Sequence, residues 1–198
     1  MYKRVSLLLV AFALLMALGC SKAPETEMKS SEAAMQAAVT SEAEQYAPEA
    51  YQAAVDTMNA ANAARAEQDS KWSLMRSYGK SAELYTSAQS LAEKAAAQAL
   101  EEKEKVRVEV AGLIAQTDSA LIATAEAVAA APRGKGSKAD VELIKNDLAS
   151  VQAAFADAQA DFANGQFIVA RTKVQAVAER ANGIIAEIEK AKSRQAGQ

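Results

Sequence analysis

The sequence predicts an all-α protein, built of long antiparallel helical hairpins that form an elongated helical bundle or coiled-coil-like rod. Three observations predict it. Alanine dominates the chain beyond residue 30, with Glu, Gln, Lys, Leu and Arg filling in, and these are the strongest helix formers. Apolar residues recur in a sustained 3-4 alternation, which lays a stripe along one face of a helix. The β-branched residues fall on that spacing and not in the period-2 alternation of a strand.

Residues 1–19 read as a secretory signal peptide outside the fold. Lys3 and Arg4 form a positive n-region, Val5 to Met16 an apolar h-region, and Ala17-Leu18-Gly19 a small-residue cleavage site. An apolar run of about twelve residues is too short to cross a hydrocarbon core of roughly 30 Å as a helix. Residues 20–30 are polar and contain Pro24, and are expected to be a flexible tether behind Cys20.

Helices are expected near residues 30–46, 48–68, 71–130, 138–164 and 166–193. Pro48 suits the first position of a helix, so Tyr46-Ala47 is a bend. Asp69 and Ser70 are expected to cap the helix that follows, and Gly79 to weaken it near its start. The stripe of that helix, Leu84, Ala88, Leu91 and Ala95, lapses at Glu101-Glu102-Lys103-Glu104-Lys105. It resumes along Val106, Val110, Leu113, Thr117, Leu121, Thr124 and Val128. The charged run is expected to be solvated and to join two hairpin units, residues 31–105 and 106–198.

Pro132, Gly134 and Gly136 mark a loop that Ser137 closes by capping the next helix. Two clear stripes follow: Val141, Ile144, Leu148, Val151, Phe155, Ala158 and Phe162, then Phe167, Ala170, Val174, Val177, Ala181, Ile184, Ile188 and Ala191. Asn164-Gly165 between them is a tight turn, so the pair should form an αα-hairpin. Its Val, Ile and Phe residues predict a better packed unit than the Ala and Tyr of the first half.

Charge and composition exclude several function classes. Without Lys3 and Arg4, Lys+Arg falls from 22 to 20 against 25 acids, a net charge near −5. Nucleic acid is bound by neutralising phosphates with a basic surface, so no nucleic-acid partner is expected. The acidity is uneven: residues 20–70 carry three basic and nine acidic side chains. Histidine is absent and Cys20 is the single cysteine, which rules out an intramolecular disulfide, a Cys/His zinc site, a Ser-His-Asp triad and a Cys-His pair. Carboxylate pairs such as Asp157 with Asp161 read as solvated helix faces, and no ligand-rich loop for an oxygen-bound cation occurs. No enzyme activity, cofactor or metal is expected.

Tyr46, Tyr51, Trp72, Tyr78 and Tyr85 are concentrated in the acidic first half. They serve either as core residues or as an exposed cluster, and Trp72, Tyr78, Tyr46 and Tyr51 are the candidate partner contacts. Arg133, Lys135 and Lys138 are basic residues in or beside the loop after residue 131.

Met16-Ala17-Leu18-Gly19-Cys20 resembles the lipobox of bacterial lipoproteins, in which the cysteine becomes the acylated N-terminal residue. The resemblance implies that Cys20 is lipidated with palmitate-type chains, which anchor stably because each buried CH₂ contributes roughly 0.8 kcal/mol. Ser21 stands where enterobacterial lipoproteins retained at the inner membrane carry Asp, so the resemblance implies the outer membrane, with the chain facing the periplasm. Ala17 and Leu18 are exchanged relative to the usual pattern, which leaves ordinary A-x-G cleavage, with an unmodified Cys20, as the alternative.

The segment from Tyr46 to Ala54, with Ser77-Tyr78-Gly79-Lys80-Ser81-Ala82, resembles a family of alanine-rich helical lipoproteins whose domain has no assigned function. The likeness covers roughly residues 30–105. Some members of that family lie beside or are fused to outer-membrane domains that hold peptidoglycan. The expected function is a non-catalytic structural or interaction lipoprotein of the cell envelope. Its partners are the membrane, through the acyl groups, and an envelope protein or peptidoglycan-associated component, with a homo-oligomer left open. The alternative is a carrier that holds an apolar ligand between helices.

Overall fold

The computed structural model describes residues 22–131 and 138–196, and among them the secondary structure is helical, with no strand. The leader, Cys20, and the loop with Arg133 and Lys135 lie outside the described residues, as do the side chains of Lys138 and Val141. The elements are α1 (Glu25–Thr40), α2 (Ala43–Tyr46), α3 (Pro48–Asp69), a 3-10 turn (Ser73–Met75), α4 (Gly79–Ala129), α5 (Lys138–Ala163) and α6 (Phe167–Ala196). They make an all-α helical bundle. The chain divides into two compact units between Glu102 and Lys103, and α4 contributes residues to both.

In the first unit α1, α3 and the first part of α4 surround a core made mostly of alanine: Ala34, Ala38, Ala54, Ala61, Ala88 and Ala92 are all buried. Alanine carries nothing beyond Cβ, so helix axes can approach closely. That explains a shift in the expected stripe of α4. The innermost line is Tyr85, Ala88, Ala92, Ala95 and Ala99, while Leu84 and Leu91 are half-buried at its flanks. Tyr85 is wholly buried, and its hydroxyl donates to Asn62 Oδ1 at 2.7 Å, tying α4 to α3. The buried hydroxyls of Ser31 and Ser81 donate to the carbonyls of Met28 and Tyr78, at 2.8 and 2.9 Å.

Three boundaries differ from expectation. Helix α1 begins at Glu25, so residues 25–30 are its first turns and not a flexible tether. Glu25 and Glu27 there complement the positive end of the helix dipole, and Met28 N–H donates to Pro24 O at 3.0 Å. The expected helix 30–46 is interrupted at Ser41-Glu42, where Glu42 takes a left-handed conformation (φ 59°). The hydroxyls of Thr40 and Ser41 donate to the carbonyls of Gln36 and Ala38, helping to close the last turn of α1. Asp69 and Ser70 end α3 and do not start the next helix; α4 begins at Gly79, leaving a loop over residues 70–78. The bend at Ala47 with Pro48 opening α3 is as expected.

In the second unit the rest of α4 packs with α5 and α6 around Leu121, Val128, Leu148, Val151, Phe155, Val177, Ile184 and Ile188. These fall on the expected stripes. Gly165 (φ 80°) reverses the chain between α5 and α6; its N–H donates to Phe162 O at 3.0 Å, and that of Gln166 to Asp161 O at 2.9 Å. The rings of Phe162 and Phe167 meet across the turn with centroids 5.2 Å apart. Asp161 Oδ2, shut off from solvent, has Lys173 Nζ at 2.6 Å as its counter-charge. Arg171 of α6 pairs with Glu109 of α4 at 3.4 Å.

Candidate functional site at the Trp72 loop

The loop between α3 and α4 is the most distinctive surface in the described chain. Its backbone is held at several points. Ser70 N–H donates to Ala66 O at 3.1 Å and Lys71 N–H to Gln68 O at 3.0 Å, closing α3. Trp72 leaves in an extended conformation (φ −59°, ψ 140°), and Met75 N–H donates to Trp72 O at 2.8 Å to close the 3-10 turn. Arg76 then clamps the two arms of the loop: Nε donates to Lys71 O and a terminal nitrogen to Asp69 O, each at 2.9 Å. Ser77 N–H donates to Gln68 Oε1 at 3.1 Å. Beneath the loop Tyr78, 4% exposed, donates its hydroxyl to the Asp69 carboxylate.

This framework holds three large apolar side chains in solvent: Trp72, Leu74 and Met75 are 71, 70 and 71% exposed. Isolated exposed apolar residues are ordinary, but three within four residues on a fixed backbone form a patch. From Ser70 to Ala82 the sequence has three cations, Lys71, Arg76 and Lys80, and no carboxylate. Lys71 Nζ lies 2.8 Å from Glu67 Oε1, and that hydrogen bond lowers the Glu67 carboxyl below its ordinary pKa. The hydrogen bond from Tyr78 to Asp69, with burial and the negative charge of Asp69, pushes the phenol above its ordinary value.

The start of α1 lies at this same end. Lys22, Pro24 and Glu25 line one wall of an open groove of about 740 Å³, and Tyr78, Gly79 and Ala82 line the other. Cys20 lies outside the described residues, two positions before Lys22.

The four aromatic candidates do not form one cluster. Trp72 and Tyr78 are at the loop, whereas Tyr46 and Tyr51 flank the start of α3, near Gln98 and Glu101 of α4 in the case of Tyr46. About 20 helical residues of α4 at ~1.5 Å each separate the two places. Tyr46 and Tyr78 are buried and serve the core, Tyr51 is half-buried, and Trp72 alone of the four is displayed. Leu74 and Met75 are not among the candidates of the sequence because its pattern places residues 71–78 in a helix. Their signal is an apolar cluster, Trp72-Ser73-Leu74-Met75, that continues into no stripe. Among the described residues no group of three or more metal-ligating side chains converges, and no helix is long and apolar enough to cross a membrane. The chain matches no family model, no curated protein and no solved structure.

Proposed function

We propose that this chain is an exported, non-catalytic lipoprotein of the bacterial envelope, anchored in the outer membrane through acyl groups on Cys20 and facing the periplasm. The observation that carries it is the junction Gly19-Cys20, where an apolar leader with a basic start ends at the chain's single cysteine. On this reading the fold starts close to its anchor. Glu25 opens the helix five residues after Cys20, so at no more than ~3.6 Å per residue the folded body begins within roughly 18 Å of the anchor. The helical body then serves as a docking element for an envelope protein or a peptidoglycan-associated component.

Mass spectrometry of the mature N-terminus tests the anchor: the expected result is a diacylglyceryl adduct on Cys20. A bare thiol, with Cys20→Ala leaving membrane fractionation unchanged, overturns the lipoprotein reading. Crosslinking of the tagged protein in intact envelopes tests the docking role, with a reproducible envelope partner as the expected outcome.

A further inference from the structure

We propose that the Trp72 loop is a second membrane contact, in which Trp72, Leu74 and Met75 enter the interfacial layer of the bilayer and Lys71 and Lys80 face its phosphates. The proposal rests on the anchored-lipoprotein reading above, which supplies the location and favours lipid as the occupant, and on the apolar patch that the loop displays.

Tryptophan has an apolar ring with a polar N–H, which suits the level of the lipid headgroups. Leu74 and Met75 beside it add apolar surface that is about seven-tenths exposed in the folded chain. Lys and Arg extend apolar stems with a charge at the tip, so flanking cations can remain at the phosphates while the residues between them go deeper. Of the carboxylates near the loop, Glu67 is engaged by Lys71 and Asp69 by Tyr78 and by Arg65 at 3.6 Å, while Glu25 and Glu27 of α1 line the groove beside Tyr78 and Gly79.

Geometry favours lipid over another macromolecule. The groove shared by Lys22, Pro24 and Tyr78 puts the start of the described chain at the loop's end of the first unit. Cys20 is two residues further on, at most ~7 Å of extended chain. An acyl anchor there brings this end of the unit to the membrane surface, and the same end displays the apolar patch. Because hydrogen bonds from Arg76, Ser77 and Met75 already hold the backbone, little conformational freedom is lost when the loop inserts.

Trp72 is the single tryptophan in the chain, so its emission reports this loop alone. The test uses the full chain purified from membranes and reconstituted into phosphatidylethanolamine–phosphatidylglycerol vesicles, with and without bromine on the lipid acyl chains. The expected result is blue-shifted Trp72 emission that the brominated lipid quenches. Leu74→Ser with Met75→Ser should return the emission towards its water-exposed wavelength with helicity unchanged, since neither side chain enters the core. Unquenched, water-exposed Trp72 in a sample whose mass spectrum shows acylated Cys20 overturns the loop contact and leaves the anchor standing. Quenched Trp72 beside a bare Cys20 supports the loop contact and removes the anchor. A blue shift that grows with protein concentration and ignores the brominated lipid assigns the patch to a second copy and overturns the lipid contact.

Discussion

Phe155 is the largest ring in the core of the second unit, and replacing it with alanine tests how that unit is held together. The side chain is 6% exposed and shares a cluster with Leu121 and Val128 of α4, Leu148 and Val151 of α5, and Val177 and Ile184 of α6. An aromatic side chain buries about 150–250 Å², and at roughly 25 cal/mol per Å² that is about 4–6 kcal/mol as an upper bound. Compactness of the unfolded chain lowers it by about 10–40%, while the cavity left among branched neighbours adds to the loss. Phe155→Ala is therefore expected to cost about 3–5 kcal/mol, which is comparable with the whole stability of a small domain. The assay is urea unfolding followed by circular dichroism, with the exposed Val169→Ala as a control expected to fall within about 0.5 kcal/mol of the parent. Ile184→Ala in the same cluster should couple with Phe155→Ala, so the double variant should lose less or more than the sum. A loss below about 1 kcal/mol for Phe155→Ala, with strict additivity, would refute the claim that one shared core joins the three helices.

Ala92 is wholly buried in the first unit, and Ala92→Leu should cost about 1–3 kcal/mol by overpacking, read by thermal unfolding. Gly165, at φ 80°, has only open space where a Cβ would stand, so Gly165→Ala should cost about 1–2 kcal/mol from backbone strain alone, and Gly165→Asn less. Tyr78 has a raised pKa because its hydroxyl donates to Asp69. Its contribution should be whole below the unfolded tyrosine value of about 10 and lost as pH rises through the folded value. Ultraviolet titration should show Tyr78→Phe deleting a tyrosine that ionises above the ordinary value, and the stability gap between the two proteins should close in alkali. Finally, residues 103–196 are expected to unfold cooperatively by themselves and residues 22–102 to melt lower, as measured on the two fragments.

The second unit is legible in the sequence almost residue by residue. Its inner positions carry Val, Ile, Leu and Phe, whose contrast with the intervening polar residues marks the buried face plainly. The first unit is harder to read because alanine is both a surface and a core residue in a helix. Leu84 and Leu91 are the more apolar residues and draw the stripe to themselves, yet close packing puts Ala88 and Ala92 at the centre. The reversal at Glu42 carries no signal, since the left-handed conformation usually marks Gly or Asn. The Trp72 loop is hidden by its own flanks. Asp69 and Ser70 are good helix-starting residues, but here Asp69 accepts the hydrogen bond of Tyr78, and the Ser70 hydroxyl donates to Glu67 O at 2.7 Å. A tertiary contact nine residues away decides what the local propensity cannot.

The composition of the first unit also bears on what its loop is for. An alanine core loses little side-chain entropy on folding but buries little apolar area, so such a unit gains from specific ties between its helices. Polar ties of this kind are Tyr85 to Asn62, Tyr78 to Asp69, and Arg76 to the carbonyls of Lys71 and Asp69. The residues that hold the loop are thus distinct from the residues it displays. Gln68, Asp69, Arg76 and Tyr78 fix the backbone, whereas Trp72, Leu74 and Met75 stay outside the core they could have enlarged. In a unit short of apolar burial, burying one Leu-sized side chain is worth about 1.5–3 kcal/mol. Leaving three such groups in water makes sense where something outside the fold covers them, as the proposed membrane contact would.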